Sequence, residues 1–173
     1  MTRYIALLRA VNVGGTGKLP MAQLKTLCTD AGFTGVETYI ASGNVVLTSA
    51  AAADAVKAKL EKALHAHAKK PVGVVLRTAA ELSDILKQHP FRKDQPNLTY
   101  VIFLDDKPPR DALDKATGHA DEKMQLGKRE IFVSYPNGMG RSKLKIPAAK
   151  TGTARNLNTV AALLAMASKT SAS

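Results

Sequence analysis

Gly14, Gly15, Gly17 and Lys18 lie between an apolar run and a proline-led helix signal. Glycines and a lysine at a helix start let backbone amides close around an anion. The detailed nucleotide-loop patterns do not fit. A Walker loop needs glycine where Asn12 stands and a hydroxyl where Leu19 stands. The G-x-G-x-x-G dinucleotide spacing is absent as well. The segment is therefore either a flexible turn or an anion site of another kind. A second polar group, Ser42-Gly43-Asn44, has the chemistry of a tight turn. A third lies near the C-terminus, where a helix from about Arg155 to Ala167 sets Arg155, Asn158 and Thr159 on one side at i, i+3 and i+4, with Lys150 close by. Such a helix start can hold a phosphate or carboxylate. Capping by Thr153 or Asn156 accounts for the same residues without a ligand.

Other chemistries leave weaker marks. His65 and His67 are two apart on a helix and do not face one point, unlike the i, i+4 pairs that bind zinc. The pairs Asp105-Asp106 and Asp121-Glu122 read as surface acids at strand ends and turns. No Cys/His nucleophile pattern and no G-x-S-x-G elbow occurs. The sequence thus calls for no metal and no cofactor, and it leaves open whether the protein is an enzyme. Cys28, the only cysteine, sits beside Leu24, Leu27 and Ala31 at helical spacing and is expected to pack as a small core residue.

The chain has 173 residues, 45% of them hydrophobic and 23% charged, which suits one domain or two small ones and excludes disorder. No stretch approaches the roughly 20 apolar residues of a membrane span, and no signal-peptide pattern opens the chain, so a cytoplasmic protein is expected. The net charge is +11, and the segment from Ile131 to Ser173 contains no acid but carries Arg141, Lys143, Lys145, Lys150, Arg155 and Lys169. Such a segment attracts phosphate-bearing partners, although solvated lysines also serve solubility.

These groups need elements to position them. Apolar Tyr4 to Leu8 begins a strand, Pro20 and the helical spacing of Met21, Leu24, Leu27, Cys28 and Ala31 predict a helix, and Gly32 ends it. Val36 to Ile40 and Val45 to Leu47 form a hairpin around Ser42-Gly43-Asn44. A helix capped by Ser49 and a strand from Val72 to Leu76 complete β-α-β-β-α-β, the ferredoxin-like order. Thr78 and Glu81 form a capping box for another helix. A weaker repeat follows, with strands at 100–104, 122–126 and 131–135, short helices at 109–116 and 142–149, and the C-terminal helix. The expectation is an α+β fold of two ferredoxin-like subdomains, 1–78 and 98–173, joined by a helix and connector at 79–97. Strands such as Tyr100-Val101-Ile102-Phe103-Leu104 are apolar on both faces, so either the halves or two chains must cover the second face.

The segments Tyr4 to Gly15, Thr38 to Val46, Ser142-Lys143-Leu144 and Thr153 to Thr159 resemble the signature segments of the DUF1697 family over nearly the whole chain. The resemblance implies a bacterial protein of paired ferredoxin-like subdomains and supplies no assigned function. At Ala41, where members commonly carry glutamine, and Leu157, where they carry tryptophan, this chain departs from the family pattern. If those side chains line a site, the departure implies a different or weaker ligand.

In the ferredoxin-like order the loop after strand one and the turn between strands two and three share one sheet edge. Arg9, Asn12, Gly14, Gly15, Lys18, Ser42, Gly43 and Asn44 are expected to gather there, with Lys143, Arg155, Asn156 and Asn158 as a second group. The leading expectation is binding of a phosphorylated small molecule or nucleotide. One alternative is phosphate-directed nucleic-acid binding through the basic C-terminal segment, although strand three, Val45-Val46-Leu47, offers no ring to stack a base. The other is a purely associative protein that forms a homodimer.

Overall fold

The computed structural model describes residues 1–9, 21–39, 43–69 and 72–168. The chain divides into two units, Met1–Leu82 with Ala162–Ser173, and Ser83–Ala161. Each contains one four-stranded antiparallel sheet. No helix among the described residues is long and apolar enough to cross a membrane.

In the first unit the order is β1 (Thr2–Leu8), α1 (Met21–Asp30), β2 (Thr34–Tyr39), β3 (Asn44–Ser49), α2 (Ala53–Ala68) and β4 (Val74–Thr78). This is the expected β-α-β-β-α-β succession. The sheet runs β2-β3-β1-β4, so β1 is central. It pairs with β3 from Thr2↔Ser49 to Leu7↔Asn44 and with β4 from Tyr4↔Thr78 to Leu8↔Val74. Alternate residues Tyr4, Ala6 and Leu8 pack in one cluster with Leu24 and Cys28 of α1 and Val56, Leu60 and Leu64 of α2. The i, i+4 spacing of those helical residues makes the stripe, and each leucine so buried stabilises the fold by about 2 kcal/mol. Cys28 is buried, as its spacing predicts, and burial pushes its thiol up to about 11. Ile5, Leu7, Val46 and Val75, on the opposite face of the sheet, are also out of water. Ser49 does not cap α2. Its hydroxyl accepts the Ala51 N–H at 3.1 Å in the turn leaving β3, and the capping position is Ala52, which has no side chain able to bond.

The capping box of α3 (Ala79–Gln88) is formed as expected, with the Thr78 N–H on Glu81 Oε1 at 2.9 Å and the Glu81 N–H on Thr78 Oγ1 at 3.1 Å. His89 follows, wholly buried. Its Nδ1 accepts the Phe91 N–H at 3.0 Å, which leaves Nε2 to donate to the Tyr100 carbonyl at 3.1 Å. The ring is therefore the neutral Nε2–H form.

The second unit repeats the first sheet with fewer helices. β5 (Thr99–Phe103), β6 (Lys123–Leu126), β7 (Glu130–Ser134) and β8 (Thr153–Asn156) run in the order β6-β7-β5-β8, so β5 takes the place of β1. Arg77 on β4 and Arg155 on β8 occupy matching sites, opposite Ile5 and Val101 of the central strands. Both are buried, and each donates from Nη1 to the carbonyl of the residue before it, Leu76 or Ala154, at 2.9 Å. This is an internal duplication expressed in position and chemistry.

The helices expected at 109–116 and 142–149 are not formed. Residues 110–115 are turns, and 3-10 turns occupy Met139–Arg141 and Pro147–Thr151. The first segment is too short to meet the cost of helix nucleation, and Pro147 would interrupt the second. Their apolar residues still pack on the sheet: Leu113, Ala116, Leu144 and Ile146 join Ile102, Ile131 and Val133. A backbone bridge between Thr117 and Lys145, with bonds of 2.9 and 2.8 Å, ties the two segments together. Gly118 makes that approach possible. It has φ +72°, and a Cβ there would lie 2.0 Å from the Lys143 carbonyl oxygen.

Two outcomes follow from these contacts. Gly118→Ala is expected to lower unfolding free energy by about 2 kcal/mol or more, from left-handed strain together with a backbone clash, as read by denaturant titration. Burial lowers the His89 pKa below the ordinary histidine value, against the opposing Tyr100 bond. The unfolded chain therefore takes this proton first, and stability is full above about pH 6.5 and falls as pH drops toward the lower folded value. Unfolding midpoints measured from about pH 7.5 to about pH 5 should decline for the native protein and decline less for His89→Gln, which does not titrate.

Candidate functional site

The end of β1 is held on both sides. The Leu8 N–H donates to the Gly43 carbonyl and the Arg9 N–H to the Gly73 carbonyl, both at 2.9 Å. Arg9, the turn before β3 and the entry to β4 therefore meet at one sheet edge. Gly43 has φ +80°, a conformation that glycine adopts without a Cβ penalty. Gly73 is needed for a different reason: a Cβ there would stand 2.5 Å from Arg9 Nε, so the arginine side chain lies across it. Asn44 is buried and donates from Nδ2 to the Tyr39 carbonyl at 3.0 Å, which commits it to the hairpin. Asn12, Gly14, Gly15, Lys18 and Ser42 lie outside the described residues.

The expected C-terminal group is dispersed. Helix α4 spans Leu157–Ser168, and Arg155 and Asn156 belong to β8 instead. The reason is β5, whose second edge is filled by the pairs Val101↔Arg155 and Tyr100↔Asn156. Arg155, Asn158 and Thr159 thus do not share a helical side. The Arg155 guanidinium turns inward, donating to Thr153 Oγ1 at 2.5 Å and the Ala154 carbonyl at 2.9 Å, and burial pushes its pKa down to about 10. Asn156 Oδ1 accepts the Thr159 N–H at 2.9 Å and so caps α4. Asn158 is exposed.

Lys143 borders a cavity of about 200 Å³ in the second unit, together with Arg141, Ser142, Glu122 and Tyr135. Glu122 is not the surface acid that its neighbour Asp121 suggests; it is only 6% exposed. Its Oε1 accepts the Ala120 N–H at 2.7 Å, and its Oε2 accepts the Ser142 hydroxyl. The Ser142 bond foremost, then the Ala120 N–H, hold the carboxyl below the usual carboxylate range, so it is ionised at neutral pH. Tyr135, 8% exposed, meets Tyr100 edge to face at a centroid distance of 5.4 Å. Burial, then the Glu122 charge, raise its pKa and keep the phenol protonated.

Sequence reasoning missed Glu122 and Tyr135 because their burial depends on residues distant in the chain. Ser142, next to Lys143 in a signature segment, was the available signal. A wider cavity of about 440 Å³ lies along Asp94, Lys123 and Ser134. There the Asp94 carboxylate is already occupied by Lys123 at 2.6 Å and Ser134 at 2.9 Å. Among the described residues no group of three or more His, Cys, Asp or Glu is placed to hold a metal ion.

Comparison with known proteins agrees with the fold. The structure is similar to that of the conserved bacterial protein SP0830 from Streptococcus pneumoniae, with a TM-score of 0.81 and 28% identity over 98% of this chain and 99% of that one. None of the curated proteins compared matches the chain. The family model for DUF1697, proteins of unknown function, matches residues 1–132. With the duplicated sheets and that match covering most of its length, the chain belongs to the DUF1697 family.

Proposed function

We propose that the protein binds a phosphorylated small molecule or nucleotide at the edge of the first sheet, where β1 ends. The observation that carries this reading is the meeting of Arg9 with Gly43 and Gly73, three backbone segments joined by the bonds from Leu8 and Arg9. The Arg9 guanidinium, lying across Gly73, supplies a fork of donors that suits phosphate oxygens. The sequence adds Gly14, Gly15 and Lys18 directly after this strand, and the chain's net charge of +11 raises the local concentration of anions. Asn44 has a structural part in this reading, because its amide holds the hairpin.

A thermal-shift screen of nucleotides and phosphorylated metabolites tests it. At a ligand concentration of about 100 times Kd, stabilisation of about 2.7 kcal/mol is expected, with no shift from the unphosphorylated counterparts. Gly73→Ala should leave the unliganded melting temperature nearly unchanged, since the flexible Arg9 side chain can swing aside, yet abolish the ligand-dependent shift. A screen in which no phosphorylated compound stabilises the protein refutes the proposal.

A further inference from the structure

The cavity bordered by Glu122 and Lys143 has a charge arrangement that the phosphate reading does not use. Glu122 is buried and ionised, and its two carboxylate oxygens receive only neutral donors, the Ala120 N–H and the Ser142 hydroxyl. Among the described residues it makes no ion pair with any lysine or arginine. His119 is the charge partner within its electrostatic reach, and each carboxylate oxygen has a further lone pair to offer.

Tyr135 adds a second unfilled group. It is more than nine-tenths buried and lines the same cavity, and its hydroxyl has no hydrogen-bond partner among the described residues. The hydroxyl itself is not sealed from solvent, so it stands open to the cavity and can accept a hydrogen bond from a ligand there. Arg141 and Lys143 border the cavity too, and among the described residues neither is ion-paired with Glu122 or Asp121. Charges of both signs therefore face one small space without neutralising each other.

We propose that this cavity binds a small zwitterion of the free amino acid class, its ammonium group on Glu122 and Tyr135 and its carboxylate toward Arg141 and Lys143. The ammonium supplies a full positive charge and donates to both the carboxylate and the phenol oxygen. The cavity volume of about 200 Å³ lies below the roughly 300 to 1,000 Å³ of pockets that take drug-sized ligands, which limits the occupant to a small metabolite. The backbone bridge at Thr117 and Lys145 presets the two walls, since it carries Ser142 and Lys143 to the segment that bears Glu122.

Calorimetric titration of the full chain with the common L-amino acids tests the assignment. At least one is expected to bind, and its N-acetyl derivative and its decarboxylated amine are each expected to bind roughly tenfold or more weakly. Glu122→Gln keeps a partner for Ala120 and Ser142 but removes the charge, and it should weaken binding by a similar factor. Lys143→Ala, at an exposed position, serves as the variant whose folding is not in question and should also weaken binding. Failure of every amino acid to bind overturns the proposal. So does equal binding of the N-acetyl derivative or of the amine, or unchanged affinity in both variants.

Discussion

A central strand bonded along both edges organises each unit. β1 lies between β3 and β4, and β5 between β7 and β8, all in antiparallel register. A buried strand must pair its amides and carbonyls, because an unmet backbone group out of water costs as much as a lost hydrogen bond. That requirement fixes what surrounds each strand. It brings the Gly43 turn and Gly73 to the two sides of β1's end through the bonds of Leu8 and Arg9. In the second unit the same demand recruits Thr153–Asn156, a segment with little apolar character, into the ladder beside β5.

How far the chain could be read in advance follows from where the information sits. The first unit was legible because Leu24 and Cys28, and Val56, Leu60 and Leu64, repeat at helical spacing and pack as one stripe. The chain also showed that two halves share one strand order. Thr153 to Asn156 misled because its strand character is imposed by pairing with β5, which a local pattern does not contain. Pro147 was the overlooked sign against a helix at 142–149. Of the candidate site residues, the proximity of Arg9 to Gly43 and Asn44 followed from topology alone. Glu122 reads locally as a surface acid because its partner Ser142 lies twenty positions later, beyond a bridge between two irregular segments.

The duplication survives in chemistry where it has faded in sequence. Arg77 and Arg155 sit at matching points of the edge strands β4 and β8, and both direct a guanidinium nitrogen at the carbonyl just before them. Elsewhere the halves have diverged. The first unit covers one sheet face with two regular helices, and the second does so with turns that leave polar side chains and backbone free to form a cavity. Regular helices satisfy their own backbone and pack closely, whereas irregular segments recruit side chains such as Glu122 and Ser142 to do so.

Helix α4 begins in the second unit, yet from Ala162 onward it is counted with the first. The N-terminal unit is therefore discontinuous in the chain. During synthesis on the ribosome its four strands and two helices emerge early, but the portion contributed by Ala162 to Ser168 appears only after the entire second sheet has been made. Domains usually complete their folding in the order of translation. Here the half made first gains its last helical turns only after the second sheet has been translated, so the maturation of the two halves is linked by the order of synthesis.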